Sequence, residues 1–281
     1  METMLILTDF SESALRAAEY GAELAGPLKV KRILLYHAYQ SVFPGTDLPE
    51  STTVSAKQLY LNSMQNLSRL HDLLTTFITP AQPITIETLA EDASLSARIN
   101  HLCKKEHVDI IVMGVSGRSG LEKLLLGNTT SMMIGESKVP VLIVPKDIII
   151  GKGVKNIVFA TDLKDNSVIP MHGLYEFLDA FPGKVRVVNV APGTPETYSA
   201  DARENIAELR NIFERYDPAF DYINERNVVS GILSYAKDHD ASLIMVVPLK
   251  HGFFADVFRE GIAKKLAYNS SVPLLSLPPT H

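Results

Sequence analysis

Short apolar runs alternate along the chain with longer stretches in which apolar residues recur every three or four positions. Met4–Thr8 is a compact apolar run and reads as a buried strand. Asp9-Phe-Ser11-Glu-Ser13 follows as a turn rich in N-cap residues. Leu15, Ala18, Ala22 and Ala25 then mark one face of a helix from about 13 to 25, which Gly26-Pro27 stops. Lys31–His37 is a second strand, and 40–53, with Pro44, Gly45 and Pro49, reads as a long loop. Leu59, Leu67, Leu70 and Leu74 predict a helix over roughly 55–77. Ile84–Thr88 alternates as a third strand, Ser94 can cap a helix to Glu106, and Asp109–Met113 is a fourth, almost wholly apolar strand. A glycine-bearing loop leads to a helix that Asn128 can cap, and Val139–Pro145 is a fifth strand. Strands alternating with helices in this way predict an α/β fold with a parallel sheet.

The order then starts again. Val158–Asp162 repeats Leu5–Asp9 at a shift of 153 residues, and Val272–Pro278 repeats Val139–Pro145 at a shift of 133. Ile232–Ile244 carries the helix-then-strand pattern of Ile99–Ile111 at that same shift. A repeat this long means two copies of one domain rather than a solenoid. The expected division is 1–147 and 153–281, with the boundary in the glycine- and lysine-bearing stretch 146–153.

The stretch from Val112 to Thr130 carries the candidate chemistry. A strand, a glycine-interrupted loop and a helix N-terminus can together form an anion site, because small residues let backbone N–H groups approach a phosphate and the helix dipole favours negative charge. An ordinary βα connection with plain glycine turns is the alternative. No Gly-Lys-Ser/Thr closes the loop as in a Walker motif, and Gly114, Gly117 and Gly120 lack the dinucleotide spacing. The spacing Gly114-x2-Gly117-x9-Gly127, after a strand and before a helix, resembles the nucleotide-binding loop of the universal stress protein family. That family follows the last glycine with Ser or Thr. Here Asn128 stands there, with Thr129 next.

The resemblance implies two tandem copies of an open five-stranded parallel sheet flanked by helices, of adenine nucleotide alpha hydrolase-like type, with strand order 3-2-1-4-5. Ligands of such sheets sit beyond the carboxyl ends of the strands where the order reverses. Asp9 and Gly114 would then face one crevice. The resemblance further implies that ATP, with or without Mg2+, binds in the first copy. Thr8 and Asp9 would serve its nucleoside end and Ala38 would flank the base, while Met113, Gly114, Gly117, Arg118, Gly127, Asn128 and Thr129 would line the ribose and phosphates. Asp9 could equally be a turn-forming residue, and Arg118 a solvated loop charge.

The second copy keeps Thr161-Asp162, but its loop departs from the pattern. At the shift of 133, Gly114, Gly117 and Gly127 become Val247, Lys250 and Glu260; sliding by one residue gives Pro248, His251 and Gly261. One nucleotide per chain is therefore expected. Both fifth strands are almost wholly apolar and would be bare at a sheet edge, so the two copies are expected to cover each other there as an internal pseudo-dimer. Pro140 and Pro273 suit edge strands.

The remaining features narrow the function. The chain has 281 residues, 46% hydrophobic and 21% charged, as in ordinary globular proteins. A net charge of -5 argues against a nucleic-acid binder. The single cysteine, Cys103, allows no intramolecular disulfide and no Cys/His zinc cage. No run reaches the length of a membrane span and the first residues do not form a signal peptide, so a cytoplasmic protein is expected. No residue pattern indicates catalysis beyond a slow ATP hydrolysis, and His37 on a strand end suits packing or hydrogen bonding better than catalysis. The resemblance points to an ATP-binding stress-response sensor or regulator, with room for a homodimer and for a protein partner that the residues do not name. A structural or interaction protein that retains the fold without nucleotide is the alternative. An adenylate-forming enzyme would need an H-I-G-H motif after the first strand, which is absent.

Overall fold

The computed structural model describes residues 1–41, 55–79, 82–115, 128–193, 199–248 and 262–280. Its first half runs β1 (Thr3–Leu7), α1 (Glu12–Ala25), β2 (Arg32–Tyr39), α2 (Ala56–Thr75), β3 (Thr85–Asp92), α3 (Leu95–Lys105), β4 (Val108–Gly114), α4 (Asn128–Glu136) and β5 (Val141–Val144). The second runs β6 (Asn156–Thr161), α5 (Met171–Ala180), β7 (Lys184–Ala191), α6 (Ala200–Phe213), a 3-10 turn at Glu214–Tyr216, β8 (Ala219–Asn224), α7 (Val228–Asp238), β9 (Leu243–Val246), α8 (Ile262–Asn269) and β10 (Leu274–Ser276). The expected loop at 40–53 lies outside the described residues beyond Ser41.

The strands form one sheet in the order β3-β2-β1-β4-β5-β10-β9-β6-β7-β8. Each half thus has the order 3-2-1-4-5, and the halves join where the two fifth strands meet. Every neighbouring pair is parallel except β5 with β10, which run antiparallel with Leu274, Leu275 and Ser276 opposite Ile143, Leu142 and Val141. Neither strand is an edge of the sheet. Both are fully buried, so the expected apolar runs are explained by cover on two faces and by a ladder partner. The strands are shorter than their apolar runs because Pro140 and Pro145, and Pro273 and Pro278, flank them and cannot donate to a ladder. The true edges, β3 and β8, are less buried and carry Glu87, Glu91, Asp92 and Asp221, charges that discourage further strand pairing.

Alternating strand residues feed two apolar layers, and each layer crosses the junction. On one face Ile6, Val112, Leu142, Leu275 and Phe159 pack with α1, α2, α5 and α6. On the other, Leu5, Ile111, Ile143, Leu274 and Val158 pack with α3, α4, α7 and α8. The linker is pinned by the Glu23 carboxylate of α1, which accepts the N–H groups of Gly151 and Gly153 at 2.8 and 3.1 Å. Both glycines have positive φ, 87° and 61°, so the linker takes a course that side chains would oppose.

A chain cut after residue 147 would keep the first sheet but bare β5, whose Val141–Val144 side chains are at most 1% exposed. Such a fragment is expected to self-associate, with sedimentation reporting dimers or larger species. A monomer at high concentration would contradict the idea that β10 is needed as cover.

Candidate functional site

The strand order reverses between β1 and β4, and there the carboxyl ends of both strands open onto a cleft of about 200 Å³. Its walls come from Leu7, Thr8 and Asp9 after β1, Ser11, Ser13 and Ala14 at the start of α1, Tyr36 and Ala38 on β2, Leu95 on α3, Met113 and Gly114 on β4, and Thr129 on α4. Six of the expected residues therefore share this cleft: Thr8, Asp9, Ala38, Met113, Gly114 and Thr129. Ala38 lies within β2 rather than after it. Gly117, Arg118 and Gly127 lie outside the described residues, and of Asn128 only its place at the first position of α4 is described.

The turn after β1 determines where Asp9 stands. The Phe10 N–H donates to Thr8 Oγ1 at 3.0 Å, and the Ser11 N–H donates to Asp9 Oδ1 at 3.0 Å. Phe10 itself takes the left-handed conformation, φ 62°, which costs a non-glycine residue energy and must be held by its surroundings. Ser11 then caps α1 by accepting the Ala14 N–H at 3.2 Å. Asp9 is exposed, with one carboxylate oxygen tied into the turn.

Gly114 has a local task that its place in a glycine motif does not reveal. A Cβ built there would lie 2.5 Å from the Ser13 carbonyl oxygen and 2.6 Å from Ser13 Oγ, too close for any side chain. The missing side chain lets the first turn of α1 rest directly on the end of β4. Ser13 Oγ completes the contact by donating to the Val115 carbonyl at 2.8 Å, so α1 holds the first peptide beyond β4.

The floor of the cleft is fixed from β3 and α3. The Tyr36 hydroxyl donates to Glu91 Oε2 at 3.0 Å, and Arg98 grips the same carboxylate through Nε and an Nη atom, each at 3.1 Å. The Arg98 hydrogen bonds hold the Glu91 carboxyl below its ordinary range despite some burial. Burial raises the Tyr36 phenol, which stays a donor. On α4, Thr130 is wholly buried, and its Oγ1, like Ser131 Oγ, has no hydrogen-bond partner among the described residues. Tyr36, Leu95 and Ser13 were not among the sequence-derived candidates. Tyr36 was within reach, since it lies two residues before Ala38 on the same side of a strand; Leu95 is contributed by tertiary packing alone.

The second half builds the same turn. The Leu163 N–H donates to Thr161 Oγ1 at 3.1 Å, the Lys164 N–H to Asp162 Oδ1 at 3.1 Å, and Leu163 has φ 59°. Its crevice differs. In the first half Ile6 pairs with Val112, and in the second Phe159 pairs with Met245. This register selects the shift of 133 and puts Val247 where the first half has Gly114. The space bounded by Thr161, Asp162, Val247, Phe159 and Ile169 is about 20 Å³, and a separate one of about 410 Å³ opens between Asp162, Asn189 and the start of α6. The helix that follows starts only at Met171, roughly a turn and a half later than α1 after its own strand, and Asn166 at the Ser13 position turns to the Asn205 carbonyl and to Glu208. Burial raises the Asp162 carboxyl, whose Oδ2 has no partner among the described residues. Lys250, His251, Glu260 and Gly261 lie outside the described residues.

No group of three or more metal-ligating side chains occurs among the described residues, and no helix among them is long and apolar enough to cross a membrane.

Residues 1–145 match the model of the universal stress protein family. A universal stress protein of Methanocaldococcus jannaschii is 26% identical over 143 residues, which is 51% of this chain and 81% of that protein. A universal stress protein from Archaeoglobus fulgidus DSM 4304 has a similar fold over 99% of this chain and 96% of its own, with a TM-score of 0.72 at 18% identity. A functionally unknown protein from Pseudomonas aeruginosa PAO1 covers 99% and 93%, with a TM-score of 0.62 at 15% identity. Both similarities extend over both halves of this chain.

Gly114→Ala should cost about 1–3 kcal/mol of unfolding free energy, because the new Cβ meets backbone atoms that cannot swing away. Gly135→Ala is the control: an added Cβ there meets nothing within 4 Å, and the change should be neutral or slightly stabilising. Denaturant unfolding of both variants checks the contrast, and equal stabilities would rule out the proposed tightness at Gly114.

Proposed function

The chain belongs to the universal stress protein family, and on that premise we propose that its first half, residues 1–147, binds ATP as part of a stress-response sensor or regulator. The observation that carries this reading is the cleft at the strand-order reversal, where Asp9 and the end of β4 come together although 105 positions separate Asp9 from Gly114. Its volume, about 200 Å³, is below the roughly 300–1,000 Å³ of clefts that hold a whole small ligand. It suits one end of a nucleotide, with the other end directed toward the glycine stretch 114–127. In this reading the nucleoside lies against Thr8, Asp9, Ala38 and Met113. The phosphates, alone or with Mg2+, lie toward Gly114, Gly117, Arg118, Gly127, Asn128 and Thr129. The buried hydroxyls of Thr130 and Ser131 at the same helix start, which have no partner among the described residues, support a polar group nearby.

We assign the second half, residues 153–281, the role of partner within an internal pseudo-dimer, a surface for interactions rather than a second site. Val247 in place of Gly114 and the later start of α5 support this asymmetry. The lone free cysteine, Cys103, suits a reducing compartment such as the cytoplasm.

Calorimetric titration of the intact chain should saturate at one ATP, and Gly117→Val should abolish binding while the fold persists, because a branched side chain would take the place of the phosphate. Two equivalent sites per chain, or undiminished affinity in the variant, would overturn the assignment. A site that stays empty at millimolar ATP would instead favour an interaction protein that keeps the fold. Asp9→Ala should weaken ATP far more than inorganic triphosphate, since the carboxylate serves the nucleoside end; equal losses would reduce Asp9 to a turn former.

A further inference from the structure

The strained turn that presents Asp9 is supported from the side of the sheet opposite the cleft. Tyr36 and Ala38 face the cleft, so His37 between them faces the other way. Its Nδ1 lies 2.8 Å from the carbonyl oxygen of Thr8. A carbonyl can only accept, so the imidazole carries its proton on Nδ1. The same ring packs on Phe10, with centroids 4.4 Å apart and planes tilted by 42°, and Tyr39 stacks behind it at 6.3 Å. His37 therefore holds the residue before Asp9 by a hydrogen bond and the left-handed residue after it by ring contact.

The second half repeats this support with a different residue. Asn189 stands opposite Thr161 in the ladder, and its Nδ2 donates to the Thr161 carbonyl at 2.9 Å, below the same Thr-Asp turn with Leu163 at φ 59°. Two unlike side chains thus deliver one N–H to one carbonyl at equivalent places. What the turn requires is the donor, and the imidazole's acid–base chemistry is not needed for it.

We infer that His37 is a positioning residue for the first-half site, acting as an Nδ1–H donor that locks the Thr8–Asp9–Phe10 turn and aims the Asp9 carboxylate into the cleft. The inference rests on the nucleotide reading for its binding consequence, but not for the turn itself.

Two variants of the full chain test it. His37→Leu removes the donor and keeps apolar bulk against Phe10. His37→Asn restores the donor in the form that the second half uses. His37→Leu should weaken ATP about tenfold, the loss of one partly buried hydrogen bond and the order it imposes. Its affinity for inorganic triphosphate should stay near that of the unsubstituted chain, because Asp9 serves the nucleoside end. His37→Asn should bind ATP within about threefold of the unsubstituted chain. Amide hydrogen exchange at Phe10 and Ser11 provides a readout without nucleotide: faster in His37→Leu, restored in His37→Asn. Unchanged exchange and affinity in His37→Leu would overturn the inference, as would Asn and Leu variants that are equally impaired. If the unsubstituted chain bound no ATP, the nucleotide reading would fall, while the exchange data would still decide whether His37 holds the turn.

Discussion

The candidate site depends on one close approach, the contact of the first turn of α1 with a strand end that has no side chain at residue 114. With the Ser13 carbonyl 2.5 Å from where a Cβ would be, the helix can start at Glu12 and bring Ser11, Ser13 and Ala14 into the wall of the cleft. The second half shows the outcome of the opposite choice within one chain. Val247 occupies the equivalent position, and the helix is delayed to Met171. The turn Thr161-Asp162-Leu163 survives unchanged in its hydrogen bonds. The turn and the helix start are therefore separable features: the ends of β1 and β2 build the first, and the close approach at residue 114 belongs to the second.

The junction of the halves has a similar economy of cause. A parallel sheet needs cover on both faces, and its last strand also needs a neighbour. Pairing β5 with β10 antiparallel supplies that neighbour from the same chain and lets each apolar layer continue across the junction. Only three residues of β10 enter the ladder, so side-chain burial rather than backbone hydrogen bonding carries most of the join. At about 1.5–3 kcal/mol for each fully buried Leu, Ile or Val, the set Leu142, Ile143, Leu274 and Leu275 outweighs the few ladder hydrogen bonds beside it.

Much of this was legible in the sequence because it rests on periodicity. Strand runs, helical faces and the repeated order all follow from which positions must avoid water. Strand ends were less legible. β3 extends to Asp92 because its pairing with β2 continues to Tyr39, which no local pattern announces. The spacing of Gly114 signalled that something must come close. It did not say that the approaching group is Ser13, since sequence distance carries no information about which elements touch. Tyr36, fixed by Glu91 and Arg98, enters the cleft through side-chain contacts among three elements that only the fold brings together. The ambiguity of one residue in aligning the second loop was likewise resolved by strand register and not by residue identity.

A regulator needs more than a binding site, because a ligand shifts an equilibrium only by its difference in affinity for two states. The elements around the cleft differ in their freedom to supply such states. β1, β2 and β4 are interior strands of a ten-stranded sheet, and α1 is clamped to β4 at Gly114; these can hardly move without disrupting the apolar layers. α4 is different. It begins directly after the glycine stretch, its first turn holds hydroxyls without partners among the described residues, and it packs against α8 of the other half. Met133 and Ile134 of α4 share one apolar layer with Leu266 and Ala267 of α8. A ligand that satisfied the start of α4 would act on an element of the site that also touches the second half. The α4–α8 contact is therefore one direct physical route between occupancy and the second half, while the sheet beneath serves as the fixed frame.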